Sequence, residues 1–339
     1  MPDLLTVRDL QVEFVTDGGI ARVLDRISLD VGPGEVVGLV GESGCGKTTL
    51  ARAILGILPA AGRIRGGEIR FDGRDLLAAD AALVNREVRG RAITVIPQDP
   101  FTSFNPLFTV GAQIMELMKW KSPRANGASG PWPALFRGYP RQRRRADREA
   151  ALALLREVQI PDPERALRRL PHELSGGQRQ RLMIAMALLP SPALVIADEP
   201  TTALDVTIQA QILRLLRELV KERGISVLFT THDLGTAYEI CDRIVVMYAG
   251  QEMEAAPTEA FFGRPAHPYT RKLLESLPAP GADIRDIPGE VPSLVAPPPG
   301  CRFHPRCESA TGECRERRPA VAEVDAGHRL YCYHPAEGS

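Results

Sequence analysis

Aromatic residues are scarce, 5% of 339 positions, and only six cysteines are present. Six thiols over such a length do not make a disulfide scaffold. Net charge is lacking too: 42 Lys and Arg stand against 42 Asp and Glu, which argues against a protein that coats nucleic acid by bulk electrostatics. No apolar run approaches the ~20 residues of a bilayer-spanning helix, and a mean hydropathy of -0.11 excludes an integral membrane protein. The opening MPDLLTVRDL has neither the basic nor the apolar region of a secretion signal. A cytoplasmic protein is therefore expected.

At roughly 150 residues per domain the length suggests about two units, and 44% hydrophobic residues can supply their cores. Up to about Gly250, short β-branched runs alternate with helical periodicity, the pattern of an α/β domain with a largely parallel sheet. The strand candidates are 35–40, 93–96, 194–197, 226–229 and 244–247, each nearly all apolar, as strands buried on both faces should be. Between them, 207–223 places Ile208, Ile212, Leu215, Leu216 and Leu219 on one helical face, with Thr207 as N-cap and Gly224 as stop.

Three short stretches carry chemistry. Gly41-Glu42-Ser43-Gly44-Cys45-Gly46-Lys47-Thr48 follows a strand and opens an apolar helix expected over 49–58, the context a phosphate-binding loop requires. Its glycines let backbone N–H groups point at phosphate oxygens, Lys47 reaches the terminal phosphates, and the Thr48 hydroxyl can ligate Mg²⁺. Asp198 and Glu199 end an apolar strand, placed to hold Mg²⁺ through water and to polarise a water attacking the γ-phosphate. Between these stretches lies Leu174-Ser175-Gly176-Gly177-Gln178, a hydroxyl and backbone N–H groups at a helix start, and hence a second phosphate-binding device.

GESGCGKT, LSGGQ and LVIADEP in this order, with Leu204-Asp205 just after and Thr231-His232-Asp233 ending a later strand, resemble the nucleotide-binding subunit of an ATP-binding cassette (ABC) transporter. The resemblance covers roughly residues 1–250. It implies a RecA-like P-loop NTPase fold with a helical subdomain over about 101–185, and an ATPase that binds ATP and Mg²⁺. By the same resemblance, Gly41, Ser43, Gly44, Cys45, Gly46, Lys47, Thr48 and Thr49 hold nucleotide. Ser175, Gly176, Gly177 and Gln178 close on ATP of the opposite subunit, and Asp205 lies in the loop crossing that interface. His232 contacts the γ-phosphate, and Gln98 touches Mg²⁺ or the attacking water and couples the site to the membrane partner. Phe14 is the candidate for stacking on adenine, a core phenylalanine being the alternative.

Asp99–Pro106 after Gln98, the run Asp198–Thr207, His267-Pro268-Tyr269-Thr270 and Cys301-Arg302-Phe303-His304-Pro305-Arg306-Cys307 resemble the oligopeptide/dipeptide importer branch. The implied assembly contains a second, different ABC ATPase subunit, two transmembrane permease subunits and an extracytoplasmic substrate-binding protein, with this chain peripheral on the cytoplasmic face of the membrane. A soluble ABC ATPase acting on nucleic acid or ribosomes is the alternative, although no long coiled coil or second cassette accompanies this one.

Three segments break the α/β pattern. Residues 121–148 hold eight Lys and Arg against one acid, Asp147, and either lean on anionic headgroups near the permease or form a solvated loop. Residues 257–300 hold ten of the 29 prolines and are expected to be an extended connector between the cassette, 1–256, and a small Cys-rich extension, 301–339. That extension carries Cys301, Cys307, Cys314 and Cys332. Four thiolates are the ligand set of a 4Fe-4S cluster, which members of the importer branch are reported to carry. Zinc, held by the cysteines alone or with His304, His328 or His334, and plain thiols are the alternatives.

Overall fold

A computed structural model describes residues 3–125, 138–202, 204–277 and 286–336. The chain divides into two compact units, Met1–Ala79 with Leu228–Ser339, and Asp80–Val227. The first unit begins with β1 (Leu5–Thr16), β2 (Gly19–Val31), β3 (Val36–Val40), α1 (Lys47–Leu55), β4 (Gly62–Phe71) and β5 (Arg74–Asp75). The second contains α2 (Ala81–Leu83), β6 (Ile93–Ile96), α3 (Val110–Lys121), α4 (Arg141–Glu157), α5 (Pro163–Ala166), α6 (Gly176–Leu188), β7 (Leu194–Asp198) and α7 (Val206–Arg223). The chain returns to the first unit through β8 (Ser226–Thr231), α8 (Leu234–Ile240), β9 (Arg243–Tyr248) and β10 (Gln251–Pro257). It finishes with α9 (Thr258–Gly263), α10 (Pro268–Glu275), α11 (Gly312–Glu316), β11 (Ala322–Asp325) and β12 (His328–Leu330).

The first unit holds two sheets. One, ordered β2-β1-β4-β5, is wholly antiparallel and pairs Leu5 with both Val31 and Phe71. Its strands alternate buried with part-exposed residues and carry register shifts around Val7, Leu10 and Val12. For that reason they show no continuous apolar run, and the expectation of a largely parallel sheet missed them. The other sheet runs β11-β12-β10-β9-β3-β8 within this unit. β3 and β9 are parallel (Val37 opposite Arg243), whereas β9–β10, β10–β12 and β12–β11 are antiparallel.

The second unit pairs β6 with β7 in parallel, Ile96 opposite Ala197. Helices α3, α4, α6 and α7 pack in sequence, and α6 lies against β6. Ile212, Leu215, Leu216 and Leu219 bury one face of α7. Its cap is Asp205 rather than Thr207, because the Asp205 carboxylate accepts the Ile208 N–H at 3.0 Å. Gly224 stops the helix at φ 62°. α1 likewise starts earlier than expected, at Lys47, and ends at Leu55, where Gly56 closes the last turn in a left-handed conformation.

The three irregular segments contain more structure than their composition suggests. Residues 126–137 of the basic stretch, Arg137 among them, lie outside the described residues. From Arg141 onward the stretch is helix, and Arg124 and Arg143 approach the fully buried carboxylate of Asp147 at 3.5 and 3.6 Å. Ser122 and Tyr139 hydroxyls donate to the same carboxylate at 2.9 and 2.7 Å. The proline-rich connector begins as α9 and α10, which bury Phe261 and Tyr269 completely. A proline at the first position of α10 is compatible with a helix start, so proline count alone misread this part. Residues 278–285, with Pro278 and Pro280, lie outside the described residues, as does Ala203. The Cys-rich extension is not a separate tail: β12 pairs with β10, Glu254 opposite Leu330. No described helix is long and apolar enough to cross a membrane.

Candidate functional site

In the first unit, the fully buried β3 delivers the chain into the glycine loop. Gly41 has φ 148°, and a Cβ there would meet the Met247 carbonyl oxygen at 2.1 Å; one at Gly46, φ 109°, would stand 2.7 Å from Leu24. Only glycine fits either position. Ser43 and Gly44 form the exposed tip, while Cys45 is buried and its thiol is pushed up by that burial. Cys45 is thus a small packing residue here. Lys47 is 5% exposed, and its ammonium donates to the Gly41 carbonyl at 2.7 Å. Thr48 and Thr49 continue the first turn of α1, whose N-terminus at Gly46 has no side-chain cap. Uncapped N–H groups at a helix start, next to a lysine, are a phosphate-binding arrangement.

His232 also belongs to the first unit. It is exposed in the turn between β8 and α8, which is fixed by Asp233: that carboxylate accepts the Gly235 and Thr236 N–H groups at 2.9 and 3.3 Å. Phe14 is part-buried on β1, and its ring covers Gly62, where a Cβ would come within 3.0 Å.

The second unit carries the acidic residues. Asp198 is the last residue of β7, and Glu199 follows at φ 47°. Gln98, two residues beyond β6, donates from Nε2 to Glu199 Oε2 at 3.0 Å, and the Thr202 hydroxyl donates to the same oxygen at 3.3 Å. Ser175 caps α6 in a reciprocal box: its Oγ accepts the Gln178 N–H at 3.3 Å while Gln178 Oε1 accepts the Ser175 N–H at 3.1 Å. Gly176 and Gly177 leave room for Phe101, Leu204 and Ile208, whose side chains would stand 3.1 to 3.7 Å from added Cβ atoms. The Arg179 guanidinium covers the Phe101 ring at 4.6 Å.

The four C-terminal cysteines line one small cavity in the first unit, together with His267, His304 and His334. Burial is the main cause that pushes Cys301 up to about 12 and Cys332 up to about 11, and the neighbouring cysteines add to it. All six cysteines of the chain are free thiols. Among the described residues, however, no group of three or more His, Cys, Asp or Glu side chains is drawn close enough to hold a metal ion. The cavity collects the donor types without presenting coordinating geometry. His328 is not in its lining: its Nε2 lies 2.7 Å from the buried Glu254 carboxylate, which takes it out of the zinc alternative. The residues missed from sequence are Tyr269 and Arg306, both of which contact Glu42 of the glycine loop.

Residues 24–202 match the ABC transporter family, and residues 253–314 match the oligopeptide/dipeptide transporter C-terminal region. The dipeptide transport ATP-binding protein DppD of Escherichia coli is 42% identical over 98% of this chain and 97% of its own length. The chain belongs to the ABC transporter family. The oligopeptide transport ATP-binding protein OppD of Haemophilus influenzae is 40% identical over 99% of each chain. Among solved structures, the dimeric post-hydrolysis state of the ATP-binding cassette MJ0796 bound to ADP and Pi matches with a TM-score of 0.61 and 26% identity. That match covers 75% of this chain and 98% of the other. The chain thus carries an ABC ATPase cassette of the P-loop fold, with residues 24–202 matched to the family.

Proposed function

We propose that this chain is the ATP-hydrolysing, energy-coupling subunit of a peptide importer. The observation that carries the reading is the presence, in one chain, of the ABC family match and of the oligopeptide/dipeptide transporter C-terminal region. Relatives named for dipeptide and oligopeptide transport, aligned over nearly their whole length, support it. No observation favours the alternative directed at nucleic acid or ribosomes.

In this reading Gly41, Ser43, Gly44, Cys45, Gly46, Lys47, Thr48 and Thr49 receive the phosphates of ATP, and Phe14 stacks on adenine. Thr48, Gln98 and Asp198 offer the hard oxygen donors that suit Mg²⁺, which when bound neutralises charge on the phosphates. Glu199 polarises the attacking water, with its carboxylate oriented by Gln98, and His232 contacts the γ-phosphate. Ser175, Gly176, Gly177, Gln178 and Asp205 serve the nucleotide of a second, non-identical ATPase subunit. Closure and reopening of that pair drives two permease subunits on the cytoplasmic face of the membrane, fed by an extracytoplasmic binding protein. Co-expression with the candidate permease and partner ATPase, followed by reconstitution into vesicles, tests this directly. Peptide-dependent stimulation of ATP hydrolysis is expected; hydrolysis indifferent to peptides and their binding protein would remove the peptide assignment.

The Cys-rich segment is read as the seat of a 4Fe-4S cluster, with zinc as the competitor, on the donor set alone, four cysteines lining one cavity, the described side chains not being drawn together as metal ligands. Anaerobically purified protein is then brown, with broad visible absorption lost on chelation. Colourless protein with one equivalent of zinc reverses the assignment.

A further inference from the structure

Two arginines stand beside cysteines of the C-terminal segment, Arg302 after Cys301 and Arg306 before Cys307. Both reach the surroundings of the phosphate loop. The Arg306 side chain is 4% exposed, and its Nη1 and Nη2 donate to Glu42 Oε2 and Oε1 at 2.8 and 3.2 Å, a bidentate fork. Its remaining donors go to the Tyr248 hydroxyl at 3.1 Å and to the Pro288 and Ile287 carbonyls at 3.0 and 2.8 Å. The Glu42 N–H donates to the Tyr269 hydroxyl at 3.1 Å. Arg302 donates to the Ala249 carbonyl, and the N–H of the adjacent Gly250 donates to the Cys45 carbonyl at 2.9 Å. The loop is gripped at Glu42 and again at Cys45.

A phosphate loop works through N–H groups fixed before the ligand arrives, so what immobilises its backbone sets its affinity. A carboxylate in that loop would also repel a polyphosphate if its charge were left uncompensated. The bidentate guanidinium meets both needs, and such forks are geometrically exacting in a way a lysine is not.

We propose that Arg306 is a positioning residue for ATP. It fixes Glu42, and through it the start of the phosphate loop, and it cancels the carboxylate charge beside the polyphosphate. ATP affinity therefore depends on the C-terminal segment being folded against the cassette. The proposal rests on ATP binding by the family's phosphate loop and is independent of the peptide reading.

The test compares full-length wild type, Arg306→Met, Arg306→Lys, Glu42→Gln and the Arg306→Met/Glu42→Gln double variant. Each is titrated with a fluorescent ATP analogue and Mg²⁺, and melted without nucleotide. Arg306→Met is expected to weaken binding about tenfold, and Arg306→Lys to fall between it and wild type. The double variant should regain much of the loss, because no unpaired carboxylate remains. A residue that only stabilises the fold would move the melting temperature, leave the affinity of the folded protein unchanged and show no such rescue. Wild-type affinity in folded Arg306→Met, or losses that simply add in the double variant, overturns the proposal. Should Arg306→Met fail to fold, Arg306→Lys decides, and unchanged affinity there overturns it equally.

Discussion

Glu199 holds a left-handed backbone conformation, φ 47°, that costs a residue with a side chain roughly 1–3 kcal/mol. The conformation is accompanied by hydrogen bonds from Gln98 and Thr202 to a single carboxylate oxygen, so the group is held in one orientation at the end of β7. If it polarises the attacking water, Glu199→Gln keeps the shape and removes the base. ATP binding should persist while hydrolysis falls by about 10²–10⁴, read as phosphate release and as nucleotide retained through gel filtration. Turnover at the wild-type rate would take the base role away from Glu199. Residues of this kind are legible in sequence because phosphate chemistry demands glycine, lysine and carboxylate at fixed spacing and next to fixed elements. Arg306 is not legible in that way. It sits in the run 301–307 that resembles the importer branch, but its partner lies 264 positions away, and that run does not show which carboxylate it meets. The same holds for His328, one of three histidines open to the zinc alternative: its partner, Glu254, is distant in sequence.

At the scale of elements, capping side chains decide where helices begin. Ser175, Asp205 and Asp233 each accept an N–H two or three residues ahead, and Ser175 thus plays a structural part in addition to the phosphate-binding one assigned to it. Ser175→Ala should cost about 1 kcal/mol of stability from the lost cap alone, measured by urea unfolding without nucleotide. An unchanged midpoint would leave the serine with the ligand role only. A larger effect is expected at α4. Asp147 is completely buried and collects two hydroxyl donors and two nearby arginines. Asp147→Ala strands those donors and should destabilise the protein by about 3 kcal/mol, against less than about 1 kcal/mol for Arg145→Ala, whose pair with Glu149 is solvent-exposed. In sequence this stretch presents only as a run of positive charge, because the single acid that organises it is outnumbered. The antiparallel sheet of β1, β2 and β4 was hidden differently: its half-exposed alternation and bulges weaken the apolar signal that marks the parallel strands.

At the scale of the whole chain, the C-terminal segment is part of the unit that carries the phosphate loop, and the join contains a titratable group under strain. Glu252 on β10 is 1% exposed, and neither carboxylate oxygen has a hydrogen-bond partner. Arg329 of β12 comes within 3.6 Å. Burial is the main cause that pushes the Glu252 carboxyl up to about 7, with Asp30 adding to it and Arg329, Arg318 and Arg243 opposing it. An unfolded chain would titrate this group near ~4.3. Between those two values the native protein holds more protons than the unfolded one, so the contribution of Glu252 to stability falls as pH rises and levels off above 7. Glu252→Gln keeps the shape and removes the ionisation. It should match wild type near pH 4 and be more stable at pH 8 by up to about 3 kcal/mol, the difference between the two urea-unfolding curves isolating this group from every other that titrates. A variant less stable than wild type at pH 8 would mean that the ionised carboxylate gains more from Arg329 than it loses by burial, and the join of β10 to β12 would then rest on an ion pair and not on a protonated acid.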